Sequence, residues 1–148
     1  VRCSGDVWRI TAILASLLLA GCGVESRPTT CEPVDRGVLP EWARAGFSDL
    51  QPKAPHVIGR DGTIAAVLFG DPLSSPPDAN RNNKILWVAR RTPPLGDLKI
   101  IASQGSRTVT RVVARGPGPS IIDLPAAGCW QLTLRWAGQT DTMGLAYR

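Results

Sequence analysis

Apolar and polar positions divide the chain into three regions. Residues 10–20 (ITAILASLLLA) form an apolar run broken only by Thr11 and Ser16, with Arg2 and Arg9 upstream. Eleven residues are too few to cross about 30 Å of hydrocarbon as a helix, and the run has the form of a secretory h-region. Residues 23–38 are polar, carry Pro28 and Pro33 and lack periodicity, which predicts a tether. Residues 39–148 read as the folded body, and from His56 onward apolar positions recur every second residue.

Within that body, Pro40 in a first turn, Glu41 beside it and Gly46 at the end predict one short helix with Trp42 and Ala45 facing the core. Period-two runs predict seven strands, at 56–58, 64–69, 84–90, 98–103, 107–114, 129–136 and 140–147. Asp61-Gly62 suits a tight turn between the first two. In strand 129–136, Trp130, Leu132, Leu134 and Trp136 share one face, while Gln131, Thr133 and Arg135 share the other. The first face is core and the second is wet. Strand 84–90 is apolar at Leu86 and Val88 as well as at Ile85 and Trp87, which predicts cover on both faces. The fold expected is all-β, an immunoglobulin-like β-sandwich of about seven strands, preceded by a signal helix and the one short helix. No helix-length amphipathic pattern interrupts the strands, which counts against an α/β enzyme.

The length of 148 residues allows one ordinary domain, and 43% hydrophobic with 20% charged residues is a globular balance. The end of the apolar run is more telling. Leu19-Ala20-Gly21-Cys22 resembles the bacterial lipobox: aliphatic, small, small, then cysteine. Small residues fit a narrow peptidase cleft, and only a thiol takes a thioether-linked diacylglyceryl group. The expectation is therefore a signal peptide over residues 1–21, lipidation at Cys22, and an acylated tether over 22–38. Acyl chains, at about 0.8 kcal/mol per buried CH₂, hold such a protein on membrane lipid without a spanning helix. The domain is then placed outside the cytoplasmic membrane, where nucleic acid is not an expected partner.

Four cysteines fit that compartment. Cys3 leaves with the signal peptide and Cys22 is acylated, so Cys31 and Cys129 remain as an even pair. A Cys31–Cys129 disulfide is expected; the alternative is a small buried thiol at Cys129 and an exposed one at Cys31.

Catalytic patterns are sparse. His56 is the sole histidine, which excludes two-histidine zinc sites and makes any Ser-His-Asp triad depend on it. Asp71, Asp78, Asp123 and Asp141 are the carboxylates available for paired acid–base work, although Asp123 and Asp141 suit turn amides better. Neither a nucleophile elbow nor a phosphate loop occurs, and no cofactor is implied. Residues 115–119 (RGPGP) read as a rigid connector. Arg107, Arg111 and Arg115, spaced by four, suggest a basic stripe near Arg90-Arg91; it is read first as a solvated strand face, and as a surface that docks on anionic lipid or wall polymer only in second place. The most suggestive segment is 71–83 (DPLSSPPDANRNN), longer than a link requires and stiffened by Pro72, Pro76 and Pro77. Asp71, Ser74, Ser75, Asp78, Asn80 and Arg81 are its candidate binding residues.

Residues 122–132 (IDLPAAGCWQL) resemble the corner before the penultimate strand of immunoglobulin-like domains, with Trp130 where tyrosine is usual and Cys129 ahead of the aromatic rather than two residues after it. Together the lipobox, PEWARAGF, FGDPL, NKILWVARR, GPGPSIIDLP and GCWQLTLRW are similar to a family of uncharacterised actinobacterial lipoproteins. That resemblance implies no known activity. The composite expectation is a non-catalytic binding or scaffolding module of the cell envelope, with an envelope protein or polymer as partner. The rival reading is a small envelope hydrolase built on His56 or a carboxylate pair.

Overall fold

The computed structural model describes residues 30–148. The expected signal peptide, the lipobox with Cys22 and the tether up to residue 29 lie outside the described residues. Eight strands follow a three-residue 3₁₀ turn, Glu41–Ala43: β1 (His56–Ile58), β2 (Ile64–Leu68), β3 (Lys84–Ala89), β4 (Leu98–Gln104), β5 (Arg107–Val113), β6 (Pro119–Ile121), β7 (Gly128–Trp136) and β8 (Gln139–Tyr147). They form two four-stranded antiparallel sheets, β1-β2-β3-β6 and β5-β4-β7-β8. β2-β3-β6 facing β5-β4-β7-β8 has the strand order of the A-B-E and C′-C-F-G sheets of an immunoglobulin-like sandwich, and β1 is added at the free edge of β2.

Alternation produces the core. Ile64, Ala66, Leu68, Ile85 and Trp87 point inward from one sheet, and Leu98, Ile100, Ala102, Trp130, Leu132, Leu134, Trp136, Met143 and Leu145 from the other, in one buried cluster. The expected split of strand 129–136 into a core face and a wetter face is what β7 shows. β2, rather than β3, is buried along both faces. Phe47 stacks on Phe69 with ring centroids 6.4 Å apart, and the Arg90 guanidinium lies 6.0 Å over Trp42. Segment 42–47 thus covers the outer side of β2, where Leu39, Ala43, Ala65 and Val67 are all sealed from solvent. Outside this cover, Leu86 and Val88 of β3 stay half-buried.

Three expectations need correction. The short helix is only the 3₁₀ turn, and Ala43 is its buried residue instead of Trp42 and Ala45, because a tight turn of three residues per repeat rotates a different side chain inward; Leu39, just before the turn, is buried as well. The strand β6 falls at the end of the expected Gly-Pro connector: Pro119 opens a short edge strand, a position where its missing N–H costs no ladder bond, and Ser120 Oγ accepts the Trp87 indole N–H at 3.0 Å. The tether is docked from residue 30 onward, since Asp35 bridges to His56 and Val38 to Lys53.

The corner before β7 has the expected form. Trp130 Nε1 donates to the Ala126 carbonyl four residues upstream at 2.8 Å, the role a tyrosine hydroxyl plays in the related corner. Tyr147 reaches the same corner from β8 and donates to the Ile122 carbonyl at 2.7 Å.

Candidate functional site

Cys31 and Cys129 are bonded, with Cα atoms 5.6 Å apart across 98 residues of sequence. Cys129 lies on the outer face of β7, so the bridge lays residues 30–32 across the outside of the β7–β8 pair. There Gln131 Nε2 donates to the Thr30 carbonyl at 3.1 Å, and Glu32 accepts the Gly144 amide. Arg60 donates to Glu32 at 2.6 Å and to Gln131 Oε1 at 2.7 Å. Leu132, Thr133 and Thr142 complete the lining of an open groove of about 450 Å³. The cation and the carboxylate that line it are spent on each other, which leaves the threonine hydroxyl groups as the free chemistry of that groove.

Segment 71–83 divides into a built-in half and an exposed tip. Asp71 pairs with Arg36, and Leu73 is buried in the core. Ser75 Oγ donates to the Leu124 carbonyl at 2.7 Å, and Ser74 Oγ accepts the Asp78 amide at 3.0 Å. Buried Asn83 clamps the base: its Oδ1 accepts the Ser74 amide at 2.9 Å, while its Nδ2 donates to the Ser74 carbonyl at 2.9 Å and Asp123 Oδ1 at 2.8 Å. Asp71, Ser74 and Ser75 therefore serve the fold with the polar atoms that were expected to meet a ligand. Asp78, Asn80 and Arg81 stand on the exposed tip, where Asp78 accepts the Asn80 amide at 2.8 Å and Arg81 approaches Asp78 at 3.8 Å.

The expected arginine stripe is not continuous. Arg107 and Arg111 share the β5 face that carries Val109 and Val113 toward the core, not an outer solvated face. Arg111 turns to the seam between the sheets and donates twice to the Asp123 carbonyl, at 3.1 and 2.9 Å. Arg115 lies beyond the end of β5 in a left-handed turn with φ of 69°, its amide donating to Asp97 at 2.9 Å. The physical reason is the strand end at Val113: a left-handed residue redirects the chain, so spacing by four no longer keeps one face.

The residues considered for catalysis are also dispersed. His56 is buried on the edge strand β1, not surface-exposed, with Nδ1 2.8 Å from the Ala54 carbonyl and Nε2 3.8 Å from Asp35. Asp71 is paired with Arg36 and Asp123 with Asn83, while Asp141 binds the β1–β2 turn. Each carboxylate thus has its own structural partner.

A second pocket, of about 380 Å³, lies between Thr63, Arg90, Arg91 and Gln139. It joins the start of β2, the exit of β3 and the start of β8. The Arg90-Arg91 pair was visible in the sequence; Thr63 and Gln139 were not, because they lie 27 and 48 residues away and reach the pair only through the pairing of β2 with β3 and the tie between β8 and the β1–β2 turn. No family model, no curated protein and no solved structure matches the chain.

Proposed function

We propose that the protein is an extracytoplasmic lipoprotein, held on membrane lipid through acylated Cys22, whose immunoglobulin-like domain is a non-catalytic binding module of the cell envelope. The observation that carries this reading is the Cys31–Cys129 disulfide, which begins nine residues after Cys22 and closes a bridge suited to an oxidising compartment. The lipobox pattern Leu19-Ala20-Gly21-Cys22 supplies the anchor, and residues 23–29 supply the lead from lipid to domain.

The test is metabolic labelling with a palmitate analogue in a bacterial host. The wild-type chain takes up label and sediments with membranes, while Cys22→Ala carries no label and accumulates as the longer precursor. Equal labelling of both chains, or normal cleavage of the variant, overturns the anchor. In-cell crosslinking addresses the module: a captured partner lost when exposed residues 77–81 become Gly/Ser assigns binding to that tip.

A further inference from the structure

Several connections converge at the end of the sandwich where β2 begins and β3, β5 and β7 finish. Asp141, near the start of β8, bonds the amides of Asp61 and Thr63, which sets the β7–β8 turn beside the start of β2. Arg115 N–H donates to Asp97, and a Cβ on Gly116 would lie 3.0 Å from the Gly96 carbonyl, so the β3–β4 and β5–β6 connections touch. In immunoglobulin-like sandwiches, loops gathered at one end form the binding surface of the variable domains.

This end carries cations without internal counter-ions. Lys99 and Arg135 are direct cross-strand partners on the outer face of the β4–β7 pair. Like charges so placed repel each other. Among the described residues, salt bridges within 4.0 Å engage Arg36, Arg60, Arg81 and His56, and none engages Arg90, Arg91, Lys99, Arg115 or Arg135. The nearby carboxylates are otherwise committed or open to water: Asp97 accepts the Arg115 amide, Asp141 is buried under four donors, and Asp61 is exposed.

The pocket between Thr63, Arg90, Arg91 and Gln139 sits in this field. Arg90 is restrained but not neutralised, because its partner is the Trp42 ring rather than a carboxylate. A guanidinium fork matches the tetrahedral oxygens of a phosphate better than an ammonium does. Thr63 Oγ1 already donates to Asp141 Oδ2 at 2.7 Å, so toward the pocket its oxygen can only accept. Gln139 offers both an amide donor and a carbonyl acceptor. An acceptor beside two guanidinium groups suits a ligand hydroxyl next to an anion, and a volume of about 380 Å³ exceeds what a bare phosphate fills.

We propose that this pocket binds the phosphate ester of a small polyol, its phosphate on Arg90 and Arg91 and a hydroxyl group on Thr63 and Gln139. The proposal rests on reading the domain as a binding module and is independent of the lipid anchor.

The test is calorimetry of the full chain in nonionic micelles, with sn-glycerol 3-phosphate, inorganic phosphate and glycerol as probes. Glycerol 3-phosphate binds, inorganic phosphate binds several-fold more weakly, and glycerol gives no heat. Arg90→Gln/Arg91→Gln weakens the ester about tenfold or more. Gln139→Ala weakens the ester but leaves inorganic phosphate unchanged, and Arg107→Gln changes neither. Thermal melts of each variant confirm that the fold is kept. Sedimentation with phosphatidylglycerol vesicles, competed by glycerol 3-phosphate, assigns the ester to a lipid headgroup; soluble binding without sedimentation assigns it to a free or polymer-borne ester. No heat with the ester up to about 10 mM, an unchanged double variant, or an equal loss from Arg107→Gln overturns the proposal. Palmitate labelling and tip-dependent crosslinking are unaffected by that failure, and a failed labelling experiment leaves the pocket result intact.

Discussion

Asp141 Oδ2 accepts two hydrogen bonds from Thr63, from its amide at 2.9 Å and from its hydroxyl at 2.7 Å. The other oxygen, Oδ1, accepts the amides of Asp61 at 2.9 Å and Thr142 at 2.7 Å. One fully buried carboxylate thereby ties β8 to the β1–β2 turn across 78 residues of sequence, and Gly59 leaves it room, since a Cβ there would lie 2.4 Å from Oδ2. Asp141→Asn places an amide NH₂ against donors it cannot serve and removes the charge that strengthens these bonds. The expected loss is about 3 kcal/mol of unfolding free energy, read as a lower urea midpoint at unchanged slope.

The same site makes stability depend on acid. Burial pushes the Asp141 carboxyl up, but the amide of Asp61, the hydroxyl and amide of Thr63 and the amide of Thr142 together outweigh it, and the group ends below its ordinary value of 3.8. A carboxyl depressed in the folded state binds its proton more readily when unfolded. Its contribution is thus fully present above the ordinary value and is lost as pH falls through that value toward the folded one. Urea titrations between about pH 3 and pH 6 should show a steeper acid-side decline for wild type than for Asp141→Asn. Parallel curves would remove Asp141 as the source.

The disulfide carries a separate part of the stability. It closes 98 residues, for which the chain-entropy relation gives about 4 to 5 kcal/mol. Cys31→Ser/Cys129→Ser should lose that amount in guanidinium denaturation, and reductant should lower wild type to the variant's level while leaving the variant unchanged. Glu32 and Thr30 depend on the bridge for their positions over β7 and β8. Amide exchange at Gly144 should therefore speed up in the double variant well below the unfolding transition.

Segment 71–83 should respond in two ways. Asn83 is buried and makes three hydrogen bonds. Asn83→Ala leaves the Ser74 amide and carbonyl without partners, at a cost of about 2 to 3 kcal/mol. Changing exposed residues 77–81 to Gly/Ser should stay within about 0.5 kcal/mol of wild type. Replacing the whole segment would confuse the two effects, so thermal melts of the separate variants precede any reading of binding.

How much of this was legible depends on which forces act locally. Period-two alternation is a property of each strand alone, and it located seven of the eight strands and the buried series Trp130, Leu132, Leu134 and Trp136. The strand β6 escaped because three residues cannot display a period, and its pairing of Lys84 with Ile121 is a contact between distant segments. Cysteine parity pointed to the disulfide only once Cys3 and Cys22 were set aside as leader and anchor, and it left a free-thiol alternative that the Cys31–Cys129 bond removes. Proline and polar content marked segment 71–83 as a loop, but not that Leu73 enters the core or that Asn83 clamps Ser74. Spacing by four aligned the arginines only while the strand continued, and it stopped at Val113. The pocket at Arg90 and Arg91 needed Thr63 from the turn before β2 and Gln139 from β8, and neither has a local signal of chemistry.

Among the described residues, three indoles lie in the core. Trp87 donates to Ser120 Oγ and Trp130 to the Ala126 carbonyl, whereas the buried Trp136 Nε1 has no partner among the described residues. Trp→Phe at any of them removes ring volume, and at Trp87 and Trp130 it also strands an acceptor that had been paired. At Trp136 the same change relieves an unpaired buried donor, a group that costs about 1 to 3 kcal/mol. Trp136→Phe should therefore be less destabilising than Trp130→Phe by about 1 to 2 kcal/mol when urea midpoints of the two variants are compared. Trp136 ends β7 at the turn that carries Gln139, so the substitution also reports on the proposed pocket. A variant that keeps its stability yet loses affinity for the phosphate ester would show that the indole positions the turn. Equal destabilisation of the two variants would mean that water reaches Nε1 in solution.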